Sequence, residues 1–188
     1  KKNDYNALLK LGDFYFNGKY VKQDYNKAKK YYQKASLQNG HKAFYNLGRI
    51  YFEGLGVKCD YEKARIYFES SVSNDNIKAL FFLGSIYENG KGVRVNKEKA
   101  IEYYKKCAEN HDEISIIFDS NYWNQKTQFN ENYYIANNNL GLIYLMEYND
   151  IELGSKYLKE SYFGEYSYSQ CNFALICKFY FNEIKNAK

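Results

Sequence analysis

Cys107 and His111 stand four residues apart, with Asp112 beside them. On a helix this spacing puts a thiol and an imidazole on one face. That is half a metal site, or a thiol–base pair for nucleophilic chemistry. No second pair of ligands accompanies them, so the preferred reading is a helix end with an incidental histidine. The other histidine, His41, starts a helix in a corner between elements and is expected to be exposed. Two glycine-rich stretches, Gly54-Leu-Gly56-Val57 and Gly90-Lys-Gly92-Val93, lack phosphate-loop spacing and lie between helical patterns rather than after a strand. No paired carboxylates stand out from the surface charge. The expectation is therefore no enzyme, no catalytic residue, no metal and no cofactor.

Binding chemistry has more material. Lys19, Lys22, Lys27, Lys29, Lys30 and Lys34 interleave with Tyr20, Tyr25, Tyr31 and Tyr32. Basic residues among aromatics can hold phosphates and stack bases. Helical register instead makes Tyr31 and Tyr32 packing residues and leaves the lysines on a solvated face, so no nucleic-acid partner is expected. The net charge of +5 is too small for a dedicated nucleic-acid binder. The four cysteines, Cys59, Cys107, Cys171 and Cys177, follow no recurring pattern, which favours free thiols and leans the localisation toward the cytoplasm. The sequence begins at Lys1 rather than Met and reads as a fragment or processed form, from which a signal peptide could already be gone.

The elements that must position these residues are helices. There are 188 residues, 45% hydrophobic and 20% aromatic, with no proline. A disordered chain would be poor in aromatics, and a membrane span would need about 18 consecutive apolar residues. Self-comparison shows a repeat. Residues 7–18 read ALLKLGDFYFNG, 43–54 AFYNLGRIYFEG and 79–90 ALFFLGSIYENG, each 36 positions after the last. Second halves follow: DYNKAKKYYQKA at 24–35, DYEKARIYFESS at 60–71 and NKEKAIEYYKKC at 96–107. A fourth copy, ANNNLGLIYLME from Ala136 and DIELGSKYLKES at 150–161, has a shorter middle loop.

Each half has helical periodicity. Ala43, Leu47, Gly48 and Tyr51 fall on one face, as do Ala64, Tyr67, Phe68 and Ser71. A mid-helix glycine costs about 1 kcal/mol relative to alanine, so its recurrence at 12, 48, 84 and 141 demands a close-packing reason. Asp24, Asp60 and Asn96 sit at N-cap positions of the second helices. Asn39-Gly40 reads as the C-terminal stop of the first copy's second helix. One hairpin of this kind has too little apolar face to fold alone, and stacked neighbours must bury it.

The pattern closely resembles the Sel1-like repeats, relatives of the tetratricopeptide repeats. Ala43, Leu47, Gly48, Tyr51, Gly54, Gly56, Val57, Asp60, Ala64 and Tyr67 carry the match in copy two. Ala79, Leu83, Gly84, Tyr87, Gly90, Gly92, Val93, Ala100 and Tyr103 carry it in copy three. Copy one has Tyr20 in place of the second turn glycine, and copy four has Gly154 in place of an alanine. The resemblance implies an all-α fold, a right-handed superhelix (solenoid) of helical hairpins forming a single domain over 1–188. Its repeats would span about 4–39, 40–75, 76–108 and 131–166, with an insertion at about 109–130 and a degenerate capping helix at about 168–185.

The resemblance also implies a non-catalytic scaffold or adaptor that binds a peptide or partner protein in its concave groove. The alternatives are a bacterial immunity or host-interaction protein and, as in a cysteine-rich branch of the family, a β-lactamase-like hydrolase. The cysteines here lack that branch's pattern. In relatives of this fold the first helix of each hairpin lines the groove. The groove positions are then Asn6, Leu9, Asp13, Phe16 and Asn17; Lys42, Tyr45, Arg49, Phe52 and Glu53; Lys78, Phe81, Ser85, Glu88 and Asn89; and Ile135, Asn138, Leu142, Leu145 and Met146. Leu9, Asp13, Phe16, Lys42, Tyr45, Arg49, Phe52, Lys78, Phe81 and Glu88 are the candidate partner-binding residues. Tyr45, Phe52 and Phe81 beside Arg49 are the anchors. The competing reading packs these aromatics between helices. Trp123, in the insertion, is a further candidate, because insertions in repeat arrays often carry binding.

Overall fold

The computed structural model describes residues 4–38, 40–72, 77–109 and 131–162. Among these, eight helices and no strands occur: α1 (Tyr5–Asn17), α2 (Tyr25–Ser36), α3 (His41–Glu53), α4 (Tyr61–Ser71), α5 (Ile77–Asn89), α6 (Lys97–Glu109), α7 (Glu131–Met146) and α8 (Ile151–Tyr162). They form two compact units, Lys1–Ala100 and Ile101–Lys188.

The first unit shows how the repeat builds a hairpin. Each first helix runs into glycine in the left-handed region: Gly18 at φ 69°, Gly54 at 71° and Gly90 at 64°. Only glycine takes that conformation without steric cost, and it turns the chain back. The backbone N–H of the next N-cap residue then donates to the carbonyl of the repeat tyrosine. The pairs are Asp24 to Tyr15 (2.9 Å), Asp60 to Tyr51 (3.0 Å) and Asn96 to Tyr87 (2.9 Å). The cap side chains accept from the backbone N–H three residues on, in Lys27, Lys63 and Lys99, at 2.9, 3.0 and 2.8 Å. The expected caps are therefore in place.

The mid-helix glycines have their packing reason. A β-carbon on Gly12 would lie 2.3 Å from the Tyr32 ring, and one on Gly48 2.6 Å from the Phe68 ring. Glycine lets the aromatic of the second helix rest on the backbone of the first. Around this contact Leu8, Ala28, Tyr32, Ala35, Ala43, Leu47 and Ile50 form one buried cluster, so α2 is shared between α1 and α3. Burying a side chain the size of leucine or isoleucine contributes about 1.5–3 kcal/mol, and neither hairpin could do so alone.

Gly40 differs from expectation. It caps the start of α3 rather than the end of α2, with φ −82°, and α2 ends at Leu37 in right-handed geometry. Glycine is needed there because the Tyr5 ring occupies the space: a β-carbon would lie 1.9 Å from its Cε2. The Ala43 N–H donates to the Gly40 carbonyl at 2.9 Å, and burial holds the nearby Tyr5 phenol above its ordinary pKa against the opposing pull of the Lys42 and Ala43 N–H groups.

In the second unit α7 and α8 pair through two glycines. A β-carbon on Gly141 would meet Leu158 at 2.4 Å, and one on Gly154 would meet Leu145 at 2.5 Å. Asn149, at φ 51°, makes the left-handed turn that glycine makes elsewhere. Asp150 caps α8 through the Leu153 N–H at 2.9 Å. The insertion, the C-terminal capping helix, Trp123, His111, Cys171 and Cys177 lie outside the described residues.

Candidate first-helix interaction face

Side by side, α1, α3 and α5 share one face of the first unit. The candidate residues lie on it with graded exposure. Lys42 and Lys78, each the second residue of its helix, are exposed; Leu9, Asp13, Phe16, Tyr45, Arg49, Phe52, Phe81 and Glu88 are half-buried. None is fully buried. The structural positions behind them, Ala43, Leu47, Ala79 and Leu83, are fully buried. The 3.6-residue period produces this division, because one stripe of each helix must meet α2 or α4 and leaves the adjoining stripe outward.

The structure brings copies one and two together at a polar and cationic junction. Tyr32 donates its hydroxyl to Asp13 Oδ1 at 2.7 Å, and Asn46 Nδ2 donates to the same oxygen at 3.3 Å. Burial raises the Tyr32 pKa, and the Asp13 hydrogen bond and charge raise it further, so the phenol stays a donor. The Arg49 guanidinium lies over the Phe16 ring, 4.9 Å from its centre. Its Nε donates to Glu53 Oε1 at 2.8 Å. Burial pulls the Arg49 pKa down, but the Glu53 hydrogen bond and charge outweigh it and leave it raised. Arg49 is therefore a fixed cation held between a ring and a carboxylate, and a pair so placed is worth about 1 kcal/mol.

Copies two and three meet through rings. Phe82 stacks on Phe68 at 4.8 Å and stands edge-on to Phe52 at 5.1 Å. Tyr45 and Phe81 pack beside it, at 6.1 and 5.7 Å. Lys91 Nζ sits 4.5 Å from the Phe52 ring centre and 5.6 Å from that of Tyr61. Phe82 and Lys91 were not among the expected residues. The matching positions, Lys10 and Asn46 for Phe82 and Lys19 and Leu55 for Lys91, follow no common type, so no periodic signal marked them. The proposed anchors thus pack between helices and also reach solvent.

The other candidates have different surroundings. Leu145 belongs to the core with Leu158, whereas Met146 is 67% exposed. The Cys107 thiol is fully buried and donates to the Asn132 carbonyl at 3.5 Å. Burial pushes its pKa up to about 12, the opposite of a reactive thiolate. His41 is half-buried rather than exposed, with Nδ1 3.3 Å from the Ser70 carbonyl oxygen, because the first turn of α3 abuts the end of α4. Among the described residues no group of three metal-ligating side chains converges, and no helix is long and apolar enough to cross a membrane.

Comparison with known proteins agrees with this architecture. The Sel1 repeat family model matches residues 6–40, 41–76 and 77–112. A similar solved structure is c5321, described as a protective antigen present in uropathogenic Escherichia coli strains displaying an SLR fold. The two are 25% identical with a TM-score of 0.73, over 90% of this chain and 32% of that one. A Sel1 repeat protein from Oxalobacter formigenes is 23% identical with a TM-score of 0.70, over 89% of this chain and 61% of that one. The chain thus spans about a third of the first protein's length and less than two thirds of the second's. No curated protein matches. The fold is all-α and of the Sel1 solenoid class, and Sel1 repeats are generally protein-interaction scaffolds rather than enzymes. With three consecutive matches over more than half its length, and with turn glycines, helix caps and glycine–ring contacts recurring at the same period, the chain belongs to the Sel1 repeat family.

Proposed function

We propose that the protein is a non-catalytic interaction module that holds an extended peptide segment of a partner protein along the α1–α3–α5 face. The observation behind this reading is the half-exposed row of Phe16, Arg49, Tyr45, Phe52 and Phe81, whose rings and guanidinium are already fixed by contacts within the protein. Rigid aromatic and arginine anchors lose little entropy on binding, which is the property of interface hot spots. Lys42 and Lys78 add exposed positive charge at one edge, and Glu53 and Glu88 negative charge at the other. A peptide would be oriented by these edges and anchored by the rings between them.

The test is capture of partners by the purified chain, identified by mass spectrometry, beside the variant Lys42→Ala/Arg49→Ala/Lys78→Ala. These three changes leave every ring in place and remove only the Arg49 contacts to Phe16 and Glu53, worth about 1 kcal/mol, so the helical circular-dichroism signal should persist. Loss of the captured partner with the fold intact supports the reading. Undiminished capture by the folded variant refutes it and moves binding to another surface, Trp123 and the insertion being the next candidates.

A further inference from the structure

Copy one departs from copies two and three at one turn position, and this decides what can stack on its outer face. In copies two and three the second turn glycine rests on the second helix of the preceding copy. A β-carbon on Gly56 would lie 3.1 Å from Tyr25 Cβ. One on Gly92 would lie 3.1 Å from Tyr61 Cβ and 3.2 Å from the Glu62 backbone nitrogen. Both glycines are in the left-handed region, at φ 66° and 69°.

The corresponding residue of copy one is Tyr20, which keeps the same backbone conformation at φ 68°. For an L-residue that conformation costs about 1 kcal/mol or more. Tyr20 is 78% exposed, and its ring lies edge-on to Phe14 at 5.1 Å with Lys19 Nζ 5.2 Å from its centre. Otherwise copy one retains the stacking pattern. Ala7, Leu11 and Gly12 repeat Ala43, Leu47 and Gly48. Yet Ala43 and Leu47 are fully buried by the copy before them, whereas Ala7 is exposed and Leu11 is 38% exposed.

We propose that Tyr20 closes the outer face of copy one to another hairpin of this type in the register that joins copies one to three, whether that hairpin comes in cis or from a second molecule. Moving the copy-two to copy-three joint back by one period places the start of a second helix against the Tyr20 β-carbon. At Gly92 the atoms in that place include helix backbone, which cannot rotate away as a side chain could. Gly56 and Gly92 admit the helix because they end at Cα. A tyrosine adds a β-carbon already at the contact limit, on backbone that cannot give way at either side.

The test places a repeat there. A chain carrying a duplicate of residues 40–75 immediately ahead of Asp4 is compared with the same chain bearing Tyr20→Gly. With Tyr20 present, trypsin should remove the added segment and the melting temperature should match the parent's. With Tyr20→Gly, the segment should be cleaved at least about tenfold more slowly, since a stacked helix must open before it is cut, and the melting temperature should rise. Tyr20→Gly in the unextended chain, retaining the parent's circular dichroism, shows that the acceptor is intact. Equal protection in both extended chains overturns the proposal. So does an unprotected segment in the Tyr20→Gly chain, because the face would then be closed by something other than Tyr20.

Discussion

Replacing Gly48 with alanine is expected to destabilise the protein, although alanine is the better helix former. Propensity alone favours alanine by about 1 kcal/mol. Packing opposes it: the new methyl carbon would lie 2.6 Å from Phe68 Cδ1 and Cε1 and 3.1 Å from its Cγ. Carbon atoms prefer separations of about 3.5–4.0 Å, so α3 or the ring must yield by roughly 1 Å. The ring has little freedom to do so. Phe68 is fully buried and stacked on Phe82 at 4.8 Å, with Tyr45 at 6.1 Å and Phe52 at 6.2 Å. Overpacking costs about 1–3 kcal/mol, and a disturbed ring stack adds about 0.5–1.5 kcal/mol. Subtracting the propensity gain leaves a net loss of roughly 1–3 kcal/mol. At about 2–4 °C per kcal/mol for a protein of this size, the melting temperature should fall by about 2–12 °C, as followed by circular dichroism. Phe68→Leu in the Gly48→Ala background should cost less than Phe68→Leu in the parent, since the two sites are in contact. A Gly48→Ala protein that melts at or above the parent temperature would show that the ring contact does not demand glycine.

Three further outcomes follow from named contacts. Tyr5→Phe removes a partly buried hydroxyl near the start of α3, where the Lys42 and Ala43 N–H groups act on it, and urea unfolding should show a loss of about 0.5–1.5 kcal/mol. Arg49→Ala and Phe16→Leu should be coupled by about 0.5–1 kcal/mol in a double-mutant cycle, whereas additivity would mean that the guanidinium–ring contact contributes nothing. Cys107 sets an alkaline limit: its thiol titrates at about 12 in the folded protein against an ordinary 9.0. Above pH 9 the unfolded chain gives up this proton first, so stability is complete below that pH and declines as pH rises through 12, by up to about 4 kcal/mol for this group. Iodoacetamide at pH 8 followed by peptide mapping should label the exposed Cys59 well before Cys107; equal labelling would place Cys107 at the surface.

Much of this fold was legible because the repeat supplies its own controls. Glycine at 12 and 48, where helix propensity argues against it, announced a close approach, and the Tyr32 and Phe68 rings occupy that space. Asp24, Asp60 and Asn96 announced caps, and each accepts the expected N–H. What a local pattern could not resolve was any role set by another copy. Asn39-Gly40 suits a helix stop as well as a start, and only the Tyr5 ring decides for the start. Phe82 takes a position that is polar in the other copies, yet its ring joins α5 to Phe52 and Phe68. Leu145 was placed on the binding face by register with copies one to three, but the Gly141–Gly154 approach draws it into the α7–α8 core.

On the reading proposed above, the first-helix face would serve twice, joining copies and holding a partner, and this constrains how a partner would bind. Arg49 and Phe52 hold adjacent copies together through Phe16, Phe82 and Lys91. A ligand that pulled these side chains out of place would forfeit contacts between hairpins that cannot stand alone. A partner bound there would have to add to the row rather than rearrange it, using the exposed ring edges, the outer side of the guanidinium and the charges at Lys42 and Lys78. Such a surface gives up little conformational freedom on binding, which favours affinity. It also ties recognition to folding: a core substitution such as Gly48→Ala, which shifts Phe68 beneath Tyr45 and Phe52, should weaken partner binding even where the helices survive.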